Sequence, residues 1–178
     1  YIAARHAGSR ASSANRRLAV WRRFFRWALR ERLSDADPTL KLLAARQPQR
    51  LPKSLSESQV DALLRAPDVD TPLGLRDRAM LELMYASGLR VSELVGLSSV
   101  QLSLVDGVVR VTGKGAKERL VPVGLQAQDW LARYLRESRG AILGGRASSN
   151  ALFVTARGEA MTRQMFWNLV RKYALRAG

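Results

Sequence analysis

The sequence contains no cysteine, a single histidine (His6) and few acidic residues. Without cysteine there can be no disulfide, no thiolate metal site and no thiol catalysis. The scattered acids and lone histidine predict neither a metal site nor a cofactor. No apolar run approaches the roughly 20 residues that cross a bilayer, and no segment resembles a signal peptide. We therefore expect a soluble, cytoplasmic protein without a membrane partner.

Positive charge is abundant. Thirty Lys and Arg stand against 15 Asp and Glu among 178 residues, which gives a formal net charge of +15. Residues 1–50 carry 12 basic and 3 acidic side chains, so the first quarter of the chain holds +9 of this charge. Such an excess predicts a polyanionic partner, with double-stranded DNA as the first candidate. The alternative is a basic surface that only keeps the protein in solution.

A basic amphipathic helix is predicted over 12–32, because apolar residues recur there at spacings of three and four. These apolar residues are Leu18, Trp21, Phe25, Ala28 and Leu29. Candidate N-caps are Ser12, Ser13 and Asn15. No acid interrupts the arginines on the other faces, and like charges repel unless a polyanion neutralises them, so we expect DNA contact rather than a solvated face. The arginines are Arg16, Arg17, Arg22, Arg23, Arg26 and Arg30.

The remaining pattern predicts two domains, both incomplete. Asp37 and Pro38 indicate the cap and first turn of another helix, which completes a helical domain over 1–45. Residues 46–53 contain two prolines and predict a linker. Over 54–178 the pattern predicts an α+β domain, so the whole chain is mainly α with a small antiparallel β-sheet. Its elements are a helix capped at Ser56, helices over 75–85, 126–137 and 163–175, and strands over 107–111 and 119–123 joined by a glycine-rich hairpin.

Three places carry candidate chemistry. Arg90 follows a glycine turn, and Glu93 comes one helical turn later, so the carboxylate can orient a guanidinium that grips a phosphate. Lys114 lies between two glycines at the hairpin tip, where it can act as a charge or a general acid. Arg163 and Gln164 open the last helix and suit readout of guanine and adenine edges. The alternatives are a structural ion pair, an exposed turn lysine and a surface helix whose aromatic residues are core.

Taken together, these motifs resemble the tyrosine site-specific recombinases of the Xer type, from about Ser12 to Gly178. The most specific stretches, in family order, are 48–56, 75–77, 86–96, 109–123 and 161–167. The resemblance implies a helical core-binding domain and an α+β catalytic domain that close around duplex DNA. It also implies cleavage and rejoining through a 3′-phosphotyrosyl link without ATP or metal, so no cofactor is expected.

The resemblance assigns roles to particular residues. Arg90 and Lys114 match catalytic positions, Glu93 matches the acid that supports the arginine, and Arg163 and Gln164 match half-site readers. Lys117 and the arginines of the first helix are expected on DNA. Implied partners are a homologous recombinase in a tetramer and an activating DNA translocase, in chromosome-dimer resolution at cell division.

The family's His-x-x-Arg box and nucleophilic tyrosine are expected beyond Gly178. None of the four tyrosines matches the nucleophile; they are Tyr1, Tyr85, Tyr134 and Tyr173. We therefore predict that this stretch of chain alone transfers no strand. The alternatives are an integrase of a mobile element and a DNA-binding module without chemistry. An RNA-binding protein is less favoured because no aromatic platform for single strands is evident.

Overall fold

The computed structural model describes residues 10–46, 54–113, 117–145 and 149–178. The chain divides into two compact units, Tyr1–Lys53 and Ser54–Gly178. In chain order the α-helices are α1 Ala11–Arg30, α2 Glu57–Arg65, α3 Pro72–Ser87, α4 Val91–Val95, α5 Leu125–Tyr134, α6 Gly140–Leu143 and α7 Arg163–Ala177. The strands are β1 Leu102–Ser103, β2 Val108–Thr112 and β3 Glu118–Pro122. Within these ranges no helix is both long and apolar enough to span a membrane.

The first unit is built on α1, which buries the face that holds Ala14, Leu18 and Ala28. The chain after α1 runs back along this helix and is bound to it by side chains. The Asn15 amide donates to the Ala45 carbonyl and accepts from the Ala45 N–H, both at 2.8 Å. The Arg22 guanidinium donates to the Leu42 carbonyl at 2.6 Å. Polar side chains of α1 therefore satisfy the backbone of a segment that has no regular structure of its own.

Two details of the first unit differ from the sequence predictions. None of Ser12, Ser13 and Asn15 caps α1, because the N-cap position is Arg10 and it makes no side-chain cap bond. No second helix follows Asp37 in the described part of this unit. Instead the Asp37 carboxylate accepts from the Thr39 N–H at 2.8 Å and the Thr39 hydroxyl at 2.6 Å. These two bonds join Asp37 to the residue two positions ahead and close a local turn, which competes with helix initiation.

A three-stranded antiparallel sheet, in the order β1-β2-β3, forms one side of the second unit. Val109 pairs with Val121 and Val111 pairs with Arg119, so these side chains share the face that buries Val109 and Val111. The predicted strands over 107–111 and 119–123 and their hairpin connection are confirmed within one residue. The two-residue β1 was not predicted, since a strand so short has no measurable period.

Helix α3 is the centre of the second unit and is buried on every side from Gly74 to Leu83. It packs most extensively against α5 and also contacts α2, α4 and α6. Thr71 caps it by accepting from the Gly74 N–H at 3.1 Å. The Ser56 capping box of α2 is confirmed, with both reciprocal bonds formed. Charged residues at buried positions of α3 are paired, as burial requires.

One buried cluster joins α3 to α7. Arg76 donates to Asp77 through Nε at 2.9 Å and Nη2 at 2.6 Å, and to the Val154 carbonyl through Nη1 at 2.8 Å. The other Asp77 oxygen accepts from the Tyr173 hydroxyl at 2.8 Å. Burial raises the pKa of Tyr173, and its hydrogen bond to the Asp77 carboxylate raises it further. The phenol is therefore a permanent donor that ties α7 to the core helix.

The last two predicted helices are present with altered details. Helix α5 continues as one π-helical turn, Leu135–Arg139, into α6, so it runs beyond the predicted end at Glu137. In α7 the buried residues are Phe166, Leu169 and Tyr173. The prediction that Trp167 shares this face is wrong: the side chain is 56% exposed, because it lies about 100° around the helix from Phe166.

Candidate active site and nucleic-acid interface

A glycine turn places Arg90 at the start of α4. Helix α3 ends at Gly88, whose φ of 60° is the left-handed conformation that glycine adopts without steric cost. Leu89 is buried and anchors the chain immediately after this turn. Arg90 then takes the N-cap position of α4 with an extended backbone. The fold therefore presents the Arg90 side chain at the protein surface, where it is 73% exposed.

Glu93 is the centre of the candidate site, because four hydrogen bonds converge on its carboxylate. Oε1 accepts from Arg90 Nη1 at 3.0 Å and from Arg119 Nη1 at 3.1 Å. Oε2 accepts from the Arg90 backbone N–H at 2.9 Å and from Arg119 Nη2 at 3.0 Å. The Glu93 side chain is only 7% exposed. The expected Arg90–Glu93 contact is thus present, and a second arginine shares the carboxylate.

The charge state of Glu93 follows from these partners. The hydrogen bonds from Arg119 lower its pKa most, the Arg90 backbone N–H lowers it further, and the carboxyl titrates at about 2 instead of 4.5. Burial acts in the opposite direction but is outweighed. Glu93 is therefore ionised throughout the neutral and mildly acidic range. Two guanidinium groups and one carboxylate leave one net positive charge at this surface.

Arg119 is a site residue that the sequence analysis missed. Its guanidinium makes a bidentate pair with Glu93, the geometry that arginine and carboxylate prefer. The available signal was the alternation of β3, which places Arg119 two residues before the half-buried Val121 on the same face. A charged residue at an inward-facing strand position needs a partner, and Glu93 is that partner.

The hairpin between β2 and β3 carries both candidate lysines. Lys114 lies outside the described residues, so its role stays a prediction. Lys117 is exposed, and its backbone carbonyl accepts from the Gly113 N–H at 2.8 Å across the hairpin. The hairpin strands are thereby paired up to the residues that flank the tip.

Helix α7 begins at the two predicted base-reading residues. Thr162 caps the helix by accepting from the Met165 N–H at 3.2 Å, and Arg163 and Gln164 follow as exposed first-turn residues. The Gln164 amide donates to the Asn168 side chain at 3.2 Å. Helix α4, which carries Glu93, packs directly against α7. The candidate phosphate-binding and base-reading residues therefore lie on two helices in contact.

The arginines of α1 separate into two groups. Four are exposed and lie opposite the buried face when helical geometry is applied: Arg16, Arg23, Arg26 and Arg30. Arg30 also contacts the adjacent Glu31 at 3.2 Å. Arg22 is partly buried and donates to the Leu42 carbonyl, and Arg17 is partly buried as well. The exposed four form a single basic stripe on α1. DNA contact by any of the six stays a prediction.

Among the described residues, no group of three or more His, Asp or Glu side chains could hold a metal ion. The guanidinium groups of Arg90 and Arg119 beside Glu93 are positive charges that can stabilise a bound phosphate.

The fold resembles that of solved integrases. The chain matches a lambda integrase tetramer bound to a Holliday junction with a TM-score of 0.71 and 20% identity, over 94% of this chain and 46% of that one. The sequence model of the phage integrase family matches residues 53–178. The chain therefore belongs to the phage integrase family, and the predicted kinship with tyrosine recombinases is confirmed.

Two curated relatives are both named tyrosine recombinase XerD. The tyrosine recombinase XerD of Ralstonia nicotianae is 65% identical over 99% of this chain and 58% of its own length. XerD of Pseudomonas aeruginosa is 57% identical over 94% of this chain and 56% of its own length. The chain thus spans somewhat more than half the length of these relatives.

Proposed function

We propose that this chain is the DNA-gripping and phosphate-binding part of a XerD-like tyrosine recombinase. Such an enzyme breaks a DNA strand through a 3′-phosphotyrosyl link and rejoins it to a partner duplex. The observation that carries this proposal is the arrangement at Glu93, which binds the guanidinium of Arg90 through one nitrogen and leaves the Arg90 side chain 73% exposed. The names of the curated relatives support the same reaction class.

In this proposal Arg90 binds the scissile phosphate and stabilises the extra negative charge of the transition state. Of its five side-chain N–H donors, one is used on Glu93, and within the described part of the chain Arg90 forms no ion pair with another acid. A guanidinium that is already oriented costs no reorganisation when charge develops on the phosphate. Lys114, which the sequence places between two glycines of the hairpin connection, would donate a proton to the leaving 5′-oxygen.

In this proposal, contacts to DNA phosphates and contacts to base edges are made by different helices. The basic stripe of α1 would neutralise backbone phosphates without regard to sequence, together with Lys117 on the hairpin. Arg163 and Gln164 would contact base edges, because they are exposed in the first turn of a long helix. Residues 1–45 would form the core-binding domain, 46–53 the linker and 54–178 the catalytic domain.

The cellular role proposed is chromosome-dimer resolution at cell division, in the cytoplasm. The partners would be a XerC-like recombinase in a tetramer and an FtsK-like translocase. The tetrameric state of the lambda integrase that shares this fold supports assembly of four protomers on two duplexes.

The tyrosines of the second unit support the proposal that the nucleophile lies elsewhere in the whole protein. The hydroxyls of Tyr134 and Tyr173 are buried and donate to the Leu152 carbonyl and to Asp77. Burial raises the pKa of both phenols, which opposes formation of an attacking phenolate. Tyr85 is exposed on α3 and does not match the family's nucleophile.

The test is selection of duplexes from a random pool by this chain, followed by measurements on the selected duplex. We expect one enriched sequence, binding that weakens steeply with salt, and about tenfold weaker binding for Arg90→Ala. The control is Arg110→Ala, since Arg110 is an exposed arginine on the opposite face of the same hairpin. A nicked suicide form of the duplex should give no covalent adduct. Failure to enrich any sequence would overturn the proposal, and an adduct would place the nucleophile within this chain.

A further inference from the structure

The Arg119–Glu93 pair joins two elements that the sequence separates by 26 positions. Arg119 lies on β3, the strand that leaves the hairpin bearing Lys114, whereas Glu93 lies on α4. Both terminal nitrogens of Arg119 are used, one on each oxygen of Glu93. The pair is the contact through which the hairpin meets the carboxylate that holds Arg90.

We propose that Arg119 is a positioning residue for Arg90, which acts by holding the Glu93 carboxylate in the orientation that receives the Arg90 guanidinium. This inference rests on the proposed function, in which Arg90 binds a DNA phosphate. The Arg119 fork fixes the plane of the carboxylate, because both oxygens are bound at once. Arg90 then finds its acceptor already placed when DNA arrives.

A positioning residue is needed because the Arg90 side chain is largely exposed. A long side chain that is 73% exposed loses rotamer entropy when it is fixed in one conformation. Glu93 can restrain Arg90 only if Glu93 itself cannot rotate. The Arg90 backbone N–H holds one oxygen of Glu93, and Arg119 holds both. Without Arg119, one backbone bond and the mobile Arg90 side chain itself would be left to orient the carboxylate.

The position of Arg119 in the sheet also limits how it can move. Its partner across the hairpin is Val111, which is fully buried, and its side chain emerges on the same face. The guanidinium therefore leaves the sheet at a fixed register and ends at Glu93. The pair therefore fixes the start of β3 relative to α4, the helix that Arg90 caps.

A competing explanation is that Arg119 itself contacts the DNA phosphate, since its side chain is 42% exposed. The two explanations differ in their dependence on Glu93. A positioning residue has no effect once Glu93 can no longer hold Arg90, whereas a direct phosphate ligand acts whether or not Glu93 is charged. A double-mutant cycle with Glu93→Gln separates them.

The experiment uses the duplex selected by this chain, with single phosphates replaced by uncharged methylphosphonates. The phosphate bound by Arg90 is the one whose neutralisation weakens wild-type binding about tenfold and leaves Arg90→Ala binding unchanged. At that phosphate we expect Arg119→Ala to reduce the tenfold effect to about twofold, and Arg119→Lys to recover part of it. In the Glu93→Gln background, Arg119→Ala should change the effect by less than about twofold. Arg110→Ala is the matched control and should retain the full effect.

Thermal unfolding of each variant shows that it is folded, and Arg119→Lys keeps the charge should the alanine variant be unstable. Retention of the full methylphosphonate effect in Arg119→Ala would overturn the inference while leaving the proposed function intact. An equal loss on Arg119→Ala with and without Glu93→Gln would also overturn it and make Arg119 a direct ligand. If no phosphate depends on Arg90, both the inference and the proposed function are wrong.

Discussion

Replacing Tyr173 with Phe tests the link between the core helix α3 and α7, the helix that begins with Arg163 and Gln164. The substitution removes one hydroxyl and leaves an oxygen of Asp77 without its donor at a side-chain exposure of 6%. A hydrogen bond to a buried charged group contributes about 1.5–3 kcal/mol, so we expect a loss of about 2 kcal/mol. For a unit of this size, that loss lowers the midpoint of thermal unfolding by about 8 °C.

Tyr134→Phe is the matched control. Tyr134 is equally buried, but its hydroxyl donates to a neutral backbone carbonyl, that of Leu152, at 3.0 Å. A neutral hydrogen bond contributes about 1 kcal/mol, which predicts a shift of about 4 °C. The assay is unfolding of the second unit followed by fluorescence, because Trp130 is partly buried and its ring contacts the guanidinium groups of Arg78 and Arg133. Equal shifts for the two variants would refute the assignment of a special role to the bond between Tyr173 and Asp77.

Three further predictions concern charge, pH and backbone. Arg23→Ala should weaken binding to all duplexes alike and reduce the slope of log K against log salt by about 0.9. Arg163→Ala should instead lose discrimination between DNA sequences. Identical behaviour of the two variants would contradict the assignment of phosphate contacts to α1 and base contacts to α7. The pKa of Glu93 is lowered to about 2, so the ionised carboxylate stabilises the fold fully above pH 4.5, and this stabilisation is lost as the pH falls towards 2. The midpoint of thermal unfolding should therefore depend less on pH over this acidic range in Arg119→Gln than in the wild type. Gly88→Ala should destabilise by about 1 kcal/mol because its φ is 60°, whereas Gly140→Ala, at a helical φ of −62° with open space around it, should stabilise slightly in the same denaturant titration.

Sequence patterns predicted the elements whose signals are local. The capping box at Ser56, the hairpin strands and the start of α7 at Arg163 depend on neighbouring residues, and the structure has them as expected. The pair of Arg90 and Glu93 was also local, since Glu93 lies three positions after Arg90, the N-cap of α4. Side-chain spacing within a single element is therefore enough to find half of the candidate site.

What the patterns missed depends on contacts between distant segments. Arg119 meets Glu93 only because β3 is brought beside α4, and no periodicity records that approach. Asn15 looked like a cap, yet it binds the backbone of Ala45, thirty positions away. The segment after Asp37 carries helix-start residues, but the carbonyls of Leu42 and Ala45 accept from side chains of α1 instead. In each case a polar side chain serves backbone or charge from another part of the chain.

The structure also separates arginines that composition counts together. Arg76 and Arg78 are less than a tenth exposed and are neutralised by Asp77 and Glu82, so they add nothing to the field outside the protein. At the candidate site the balance is different, because one carboxylate faces two guanidinium groups. A carboxylate has about four acceptor positions, and all four at Glu93 are occupied by donors of the protein. The remaining side-chain N–H groups of Arg90 are thus left to water or to an incoming anion, and in the proposed function that anion is a DNA phosphate.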